Sequence, residues 1–73
     1  MNNAQLQRYR FIEICLEKYG EIGRRIVMDY FGISQAQVTK DIKEYSKLAP
    51  DNIRYSASKK RYLKNPEFER TVI

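Results

Sequence analysis

The 73-residue chain contains no histidine and a single cysteine, Cys15. Without histidine there is no imidazole to serve as general base and no Cys/His zinc finger. With one cysteine there is no internal disulfide. Glycine and proline are scarce, at three and two residues, and nothing resembles a glycine-rich phosphate loop. Ser34 and Ser56 have no histidine to activate them, and no carboxylate cluster is placed to hold a metal. No apolar run approaches the roughly 20 residues of a membrane span. The start, Met1-Asn2-Asn3-Ala4-Gln5, has neither the basic region nor the apolar core of a signal peptide. These absences argue against an enzyme, a metal or organic cofactor, a small-molecule ligand and a membrane protein. They favour a cytoplasmic location.

What the chain does have is one domain's worth of apolar residues and an uneven basic charge. Hydrophobic residues make up 42% and charged residues 32%, enough for one small core without room for a deep cleft. The formal net charge is +5. Residues 1–33 carry +1, residues 34–64 carry +5 and residues 65–73 carry −1. A basic excess confined to one stretch is the electrostatic footprint of a nucleic-acid binder.

Residues 4–19 form a first predicted helix, with Asn3 as its cap and Gly20 as its stop. Phe11, Ile12, Cys15, Leu16 and Tyr19 make its apolar stripe, and Arg10, Glu13 and Glu17 its solvated face. Cys15 reads as a small core residue. A shorter second helix spans about 23–31, with Gly23 near its cap, Ile22 packed just before it, and Ile26, Val27, Tyr30 and Phe31 supplying core contacts. Arg24 and Arg25 lie in its first turn, where cations oppose the helix dipole. Phosphate contact gives them a role there.

The third helix carries the most information. Gly32 can adopt the positive φ that closes the preceding helix. Ser34 is a favoured N-cap, and Gln37 completes a Ser-x-x-Gln capping box. Val38, Ile42 and Tyr45 repeat at helical spacing on a buried face, and Pro50 stops the helix near residue 48 or 49. The opposite face carries Ala36, Lys40, Lys43 and Lys47, flanked by Gln35, Gln37 and Thr39. Amide, hydroxyl and cationic groups of this kind read base edges and grip phosphates. Asp41 lies near the buried edge, suited to pairing with an arginine or lysine of a neighbouring helix. A short turn between two such helices is the pattern of a helix-turn-helix, whose second helix enters the DNA major groove.

After Pro50 the period changes to two. Ile53-Arg54-Tyr55-Ser56 and Lys60-Arg61-Tyr62-Leu63 alternate around Ala57-Ser58-Lys59, as in a hairpin. Tyr55 and Tyr62 read as core or cross-strand partners. Arg54, Lys59, Lys60, Arg61 and Lys64 give the hairpin a basic rim. Asn65-Pro66 ends it, and the tail 65–73 offers Phe68, Val72 and Ile73 for packing. The expected fold is therefore mainly α with a small β-hairpin (α+β). It is one winged helix-turn-helix domain over residues 1–73: helix 4–19, helix-turn-helix 23–49, two-stranded wing 52–64.

The run Ser34-x-x-Gln37-Val38-Thr39-Lys40-Asp41-Ile42-x-x-Tyr45 resembles the recognition helix of DeoR-type repressors. A closer resemblance is to the N-terminal winged-helix domain of bacterial WYL-domain transcriptional regulators. It rests on Tyr19-Gly20-Glu21-Ile22, the Arg-led second helix at Arg24, Phe31-Gly32-Ile33-Ser34 and Asp41-Ile42-x-x-Tyr45. Ala49-Pro50-x-Asn52-Ile53-x-Tyr55 and Lys60-x-Tyr62 extend it, so that it covers roughly residues 9–68. Gly23 departs from the family, which commonly has Asn there. The family's ligand-sensing WYL domain and C-terminal extension are also missing from these 73 residues. Either a piece of a larger regulator or a free-standing phage or mobile-element protein is open on this reading. The resemblance implies a homodimer on an inverted repeat.

The expected function is sequence-specific binding of double-stranded DNA by a transcriptional repressor. Gln35, Ala36, Gln37, Thr39, Lys40 and Lys43 are the candidates for base reading. Arg24, Arg25, Ser34, Lys47, Lys59, Lys60 and Arg61 are the candidates for backbone contact. The competing readings are an architectural, excisionase-like DNA-bending protein and a winged-helix module that binds other proteins.

Overall fold

A computed structural model describes all 73 residues. Helix α1 runs Asn3–Tyr19, strand β1 Glu21–Ile22, helix α2 Arg24–Phe31 and helix α3 Gln35–Leu48. Strands β2 (Ile53–Ser56) and β3 (Arg61–Lys64) follow. The winged architecture expected from the sequence is present, with one added strand. β3 lies between β2 and β1, antiparallel to both, so the wing is continued inward to a three-stranded sheet. Glu21 and Ile22 pair with Leu63 and Tyr62. Two residues are too short a run to show a period of two, which is why β1 has no signature in the sequence. No helix is long and apolar enough to cross a membrane.

Each helix boundary has a local cause. Asn2, one residue before the expected cap, starts α1: its side chain accepts from the Gln5 backbone N–H at 2.8 Å. The Gln5 side chain reciprocates by accepting from the Asn2 N–H at 3.0 Å. Gly32, at φ 65°, ends α2 and lets its N–H return to the Met28 carbonyl. Ser34 caps α3 by accepting from the Gln37 N–H at 3.1 Å. The expected capping box is only half formed, because the Gln37 side chain turns along the helix to Asp41 instead of back to Ser34.

The core joins Tyr9, Ile12, Cys15 and Leu16 of α1 to Ile22, Val27, Val38, Ile42, Tyr45, Ala49 and Ile53. Several expected core residues lie further out. Tyr19 is 66% exposed, Ile26 50% and Tyr30 68%. Tyr30 instead stacks its ring on half-buried Phe11, with centroids 4.5 Å apart, and both meet Phe31 edge-on. An aromatic cluster thus seals the outside of the α1–α2 contact. Tyr55 and Tyr62 are cross-strand partners with rings 4.9 Å apart, as their alternation implied.

The largest departure from the sequence reading is Glu13. Expected on the solvated face, it is fully buried. One carboxylate oxygen accepts from the Tyr45 hydroxyl at 2.8 Å and the Thr71 N–H at 2.9 Å. The other accepts from the Val72 and Ile73 N–H groups, both at 2.9 Å. Buried Asn52 donates to the Tyr45 hydroxyl and the Glu69 carbonyl, and accepts from the Glu69 N–H. Outside this network Arg70 grips Glu17 with two hydrogen bonds of 2.6 and 2.9 Å. That fork holds the Glu17 carboxyl below its ordinary value. The tail is therefore a strap, fastened to α1 mostly through its own backbone amides.

Two predictions follow from this packing. Glu13→Ala strips the acceptor from four donors, and each buried donor left unsatisfied costs about 1–3 kcal/mol. Some relaxation will occur, so a loss of more than about 3 kcal/mol is expected, against a total of only several kcal/mol for a domain of this size. Urea unfolding measures it, and a wild-type midpoint would mean that the strap is not fastened as described. The second concerns alkaline pH. Burial pushes the Tyr45, Tyr9 and Cys15 groups above their ordinary values of 10.0, 10.0 and 9.0. The folded chain then keeps protons that the unfolded chain releases, so stability present at neutral pH is lost as pH rises past about 9–10. The melting temperature should fall there, and Tyr45→Phe should lower it at neutral pH while flattening the alkaline limb.

Candidate nucleic-acid interface

The roll of α3 is set by what it buries. Val38, Asp41, Ile42 and Tyr45 face inward, which turns Ala36, Lys40, Lys43 and Lys47 outward, all exposed. The two flanks of this ridge differ. Gln35 and Thr39 are exposed on the side of α2 and the wing. Gln37 is half-buried on the α1 side, where its Nε2 donates to Asp41 Oδ1 at 2.9 Å. Asp41 itself is buried and held by Arg8 of α1, with Nε 2.6 Å from Oδ2 and Nη2 3.1 Å from Oδ1. This is the helix-fixing ion pair that Asp41's position called for.

On the other flank Arg24 joins three elements. Its Nη1 lies 3.3 Å from the Tyr62 hydroxyl of β3 and 3.5 Å from Thr39 Oγ1 of α3. The guanidinium carbon sits 5.9 Å from the Tyr62 ring centre, within cation–π range. Arg25 stands in solvent with Asp29 one turn on, at 3.4 Å. Arg61 pairs with Glu21 at 3.3 Å and lies over Gly23. A Cβ at residue 23 would come within 2.8 Å of its Nη1 and displace the end of that flexible side chain. At the hairpin tip Lys59 and Lys60 are exposed, and Lys60 takes a φ of 55° in the absence of a turn glycine or asparagine.

These residues converge around a surface hollow of about 290 Å³ lined by Gly23, Arg24, Arg25, Met28, Gln35, Lys60 and Arg61. Five candidates from α2, α3 and the wing thus share one basin, and Ala36, Lys40 and Lys43 form the adjoining ridge. Lys47 stands apart at the far end of α3, 3.5 Å from Glu44. The Ser34 oxygen is engaged in capping. Arg8 and Tyr62, which steady Gln37 and Arg24, were missed by sequence reasoning. Their partners lie 33 and 38 residues away, beyond the reach of any local pattern.

The cations divide cleanly. Arg8, Arg25, Lys47, Arg61 and Arg70 have carboxylate partners. Arg10, Arg24 and Arg54 donate to carbonyls, hydroxyls or an amide. Lys18 and Lys64 lie over aromatic rings. Lys40, Lys43, Lys59 and Lys60 have no partner of any kind within the protein. Two are on the outward ridge of α3 and two at the wing tip.

Known proteins match this sequence. The family model of the BrxR transcriptional regulator winged helix-turn-helix domain matches residues 4–73. The DNA-binding transcriptional repressor CapW of Escherichia coli strain KTE188 is 42% identical over 66 residues, covering 90% of this chain and 22% of that protein. CapW proteins of Stenotrophomonas maltophilia and Pseudomonas aeruginosa are each 38% identical over 66 residues, with the same coverage. The chain thus spans about a fifth of the length of these relatives. The winged-helix resemblance carried by residues 9–68 extends over nearly the whole sequence, and the chain belongs to the winged helix-turn-helix domain family of BrxR transcriptional regulators.

Proposed function

We propose that this chain binds double-stranded DNA sequence-specifically and acts in the cytoplasm as the DNA-binding part of a transcriptional repressor. The observation that carries the reading is the placement of the four partnerless lysines. Four cations without a partner in the protein, two on α3 and two at the wing tip, are left for phosphates to neutralise on binding. The names of the CapW relatives, DNA-binding transcriptional repressors, agree with it.

In this reading α3 enters the major groove with Gln35, Ala36, Gln37, Thr39, Lys40 and Lys43 toward the base edges. Ala36 suits close approach and contact with a thymine methyl. Arg24, Arg25, Ser34, Lys47, Lys59, Lys60 and Arg61 serve the sugar–phosphate backbone. Of these, Lys59 and Lys60 are the most available, since Arg25, Lys47 and Arg61 must first exchange a carboxylate for a phosphate. Two copies on an inverted repeat would place two such helices about one helical turn apart.

Selection of bound duplexes from a random pool tests the reading directly. One motif, preferred over random duplex by roughly 10³-fold or more, is the expected result. Binding without a motif would replace the repressor by an architectural protein, and no binding at low salt would remove DNA altogether. Among variants, Lys40→Ala or Gln35→Ala should cost about 1–3 kcal/mol and relax preference at one position. Lys60→Ala should weaken all duplexes alike and reduce the slope of log K against log salt by about 0.9. Equal losses on every sequence for all three would sink the division of roles.

A further inference from the structure

We propose that Arg8 and Asp41 orient the Gln37 amide so that it reads adenine. The inference rests on the DNA-binding reading above and adds to it two positioning residues, neither of which touches DNA, and one base identity. A free glutamine amide can turn over, exchanging its donor and acceptor ends. Here it cannot. Asp41 is buried, and both of its oxygens accept from the donor-only Arg8 guanidinium, so the carboxylate faces Gln37 as an acceptor. Only the NH₂ end of Gln37 can face it, and Nε2 does so at 2.9 Å.

The backbone of Gln37 is held as well, since its own N–H donates to the Ser34 cap. What remains unpaired is Oε1, which has no partner in the protein, and the second hydrogen on Nε2. With the hydrogen anti to Oε1 given to Asp41, the remaining donor lies beside Oε1 on one edge of the planar amide. In the major groove adenine alone presents the complement, an N6 amino donor beside the N7 acceptor. Gln35, Lys40 and Lys43 have no partner within the protein and must be ordered by the DNA. Gln37 is ordered before it arrives.

The arrangement has a stated asymmetry. Asp41→Asn keeps the size of the side chain but offers either a donor or an acceptor, so the glutamine amide is freed to turn over. Base preference should then relax at one position while contacts to phosphate are untouched. A merely structural role for Asp41 would lower affinity for all duplexes together.

The test begins with the free protein. The side-chain NH₂ signals of Gln37 are compared by NMR with those of Gln7 and Gln35, which have no side-chain partner. A downfield shift of one of its two NH₂ signals and slowed hydrogen exchange are expected for Gln37, with return toward the pattern of the other two in Arg8→Lys. A Gln37 amide as mobile as Gln7 in the wild type overturns the proposal without any DNA present. Base preferences at each motif position are then measured for the wild type, Gln37→Met, Gln37→Glu and Asp41→Asn. Gln37→Met should lose a preference for adenine of about tenfold at one position. Gln37→Glu, now an acceptor only, should shift that position toward cytosine. Asp41→Asn should relax the same position several-fold with an unchanged salt slope. If Asp41→Asn fails to fold, the Gln37 variants, altered at a half-exposed side chain, still decide. A motif that Gln37→Met leaves unchanged overturns this proposal alone, whereas a wild type that selects no motif overturns the DNA reading and the proposal with it.

Discussion

A buried carboxylate organises this small domain. Removing Glu13 from water would be prohibitive if it were left alone. It is tolerable because the Tyr45 hydroxyl and the three successive amides of Thr71, Val72 and Ile73 surround it. The network joins three parts of the chain: α1 supplies the accepting carboxylate, α3 the hydroxyl donor and the tail the three amide donors. Asn52, at the entry to the wing, ties the hydroxyl to the tail a second time. An apolar contact would permit small rotations of α3 about its axis. A directed hydrogen bond from the inward end of Tyr45 opposes them, and with Tyr45 inward the Ala36–Lys40–Lys43 ridge must face out.

The charge distribution follows the same division between what is held and what is left free. Every arginine has a partner, and the planar forks suit fixed ones: Arg8 on Asp41, Arg70 on Glu17, Arg24 against Tyr62 and Thr39. The free cations are all lysines. A lysine is a strongly hydrated point charge on a flexible stem, well matched to phosphates whose spacing varies along a duplex. Arginine builds the scaffold here and lysine is presented by it.

Much of this was legible in the residues. Gly20, Gly32, Ser34 and Pro50 punctuate the helices, Val38, Ile42 and Tyr45 declare the buried face of α3, and alternation around Ala57–Lys59 declares the wing. Those are local signals, in which a residue's own backbone preference or its spacing to near neighbours decides the outcome. Glu13 was not legible, because its position beside Ile12 gives no sign that a segment 58 residues later will bring amides to it. Tyr30 and Ile26 misled for the opposite reason: α2 has only eight residues, and so short a helix can bury little beyond Val27. In the site, the outward lysines could be read from helical periodicity. The tethering of Gln37 and Arg24 could not, since it depends on where α1 and β3 come to rest.

The two flanks of α3 are thus built differently from its ridge. On one side Arg8, Asp41 and Gln37 form a chain of hydrogen bonds running outward from the core. On the other, Arg24 bridges Thr39 to the wing tyrosine. Both chains end in a side chain with hydrogen-bonding capacity still unused, whereas the ridge between them ends in lysines with nothing to hold them. If DNA enters along this face, the flanks meet it with groups whose geometry is already chosen and the ridge with groups that adapt. Discrimination requires that a wrong base leave a fixed partner unsatisfied, because a mobile side chain can simply turn to water instead. Specificity is then expected to concentrate where the protein has restrained its own side chains, and affinity where it has not.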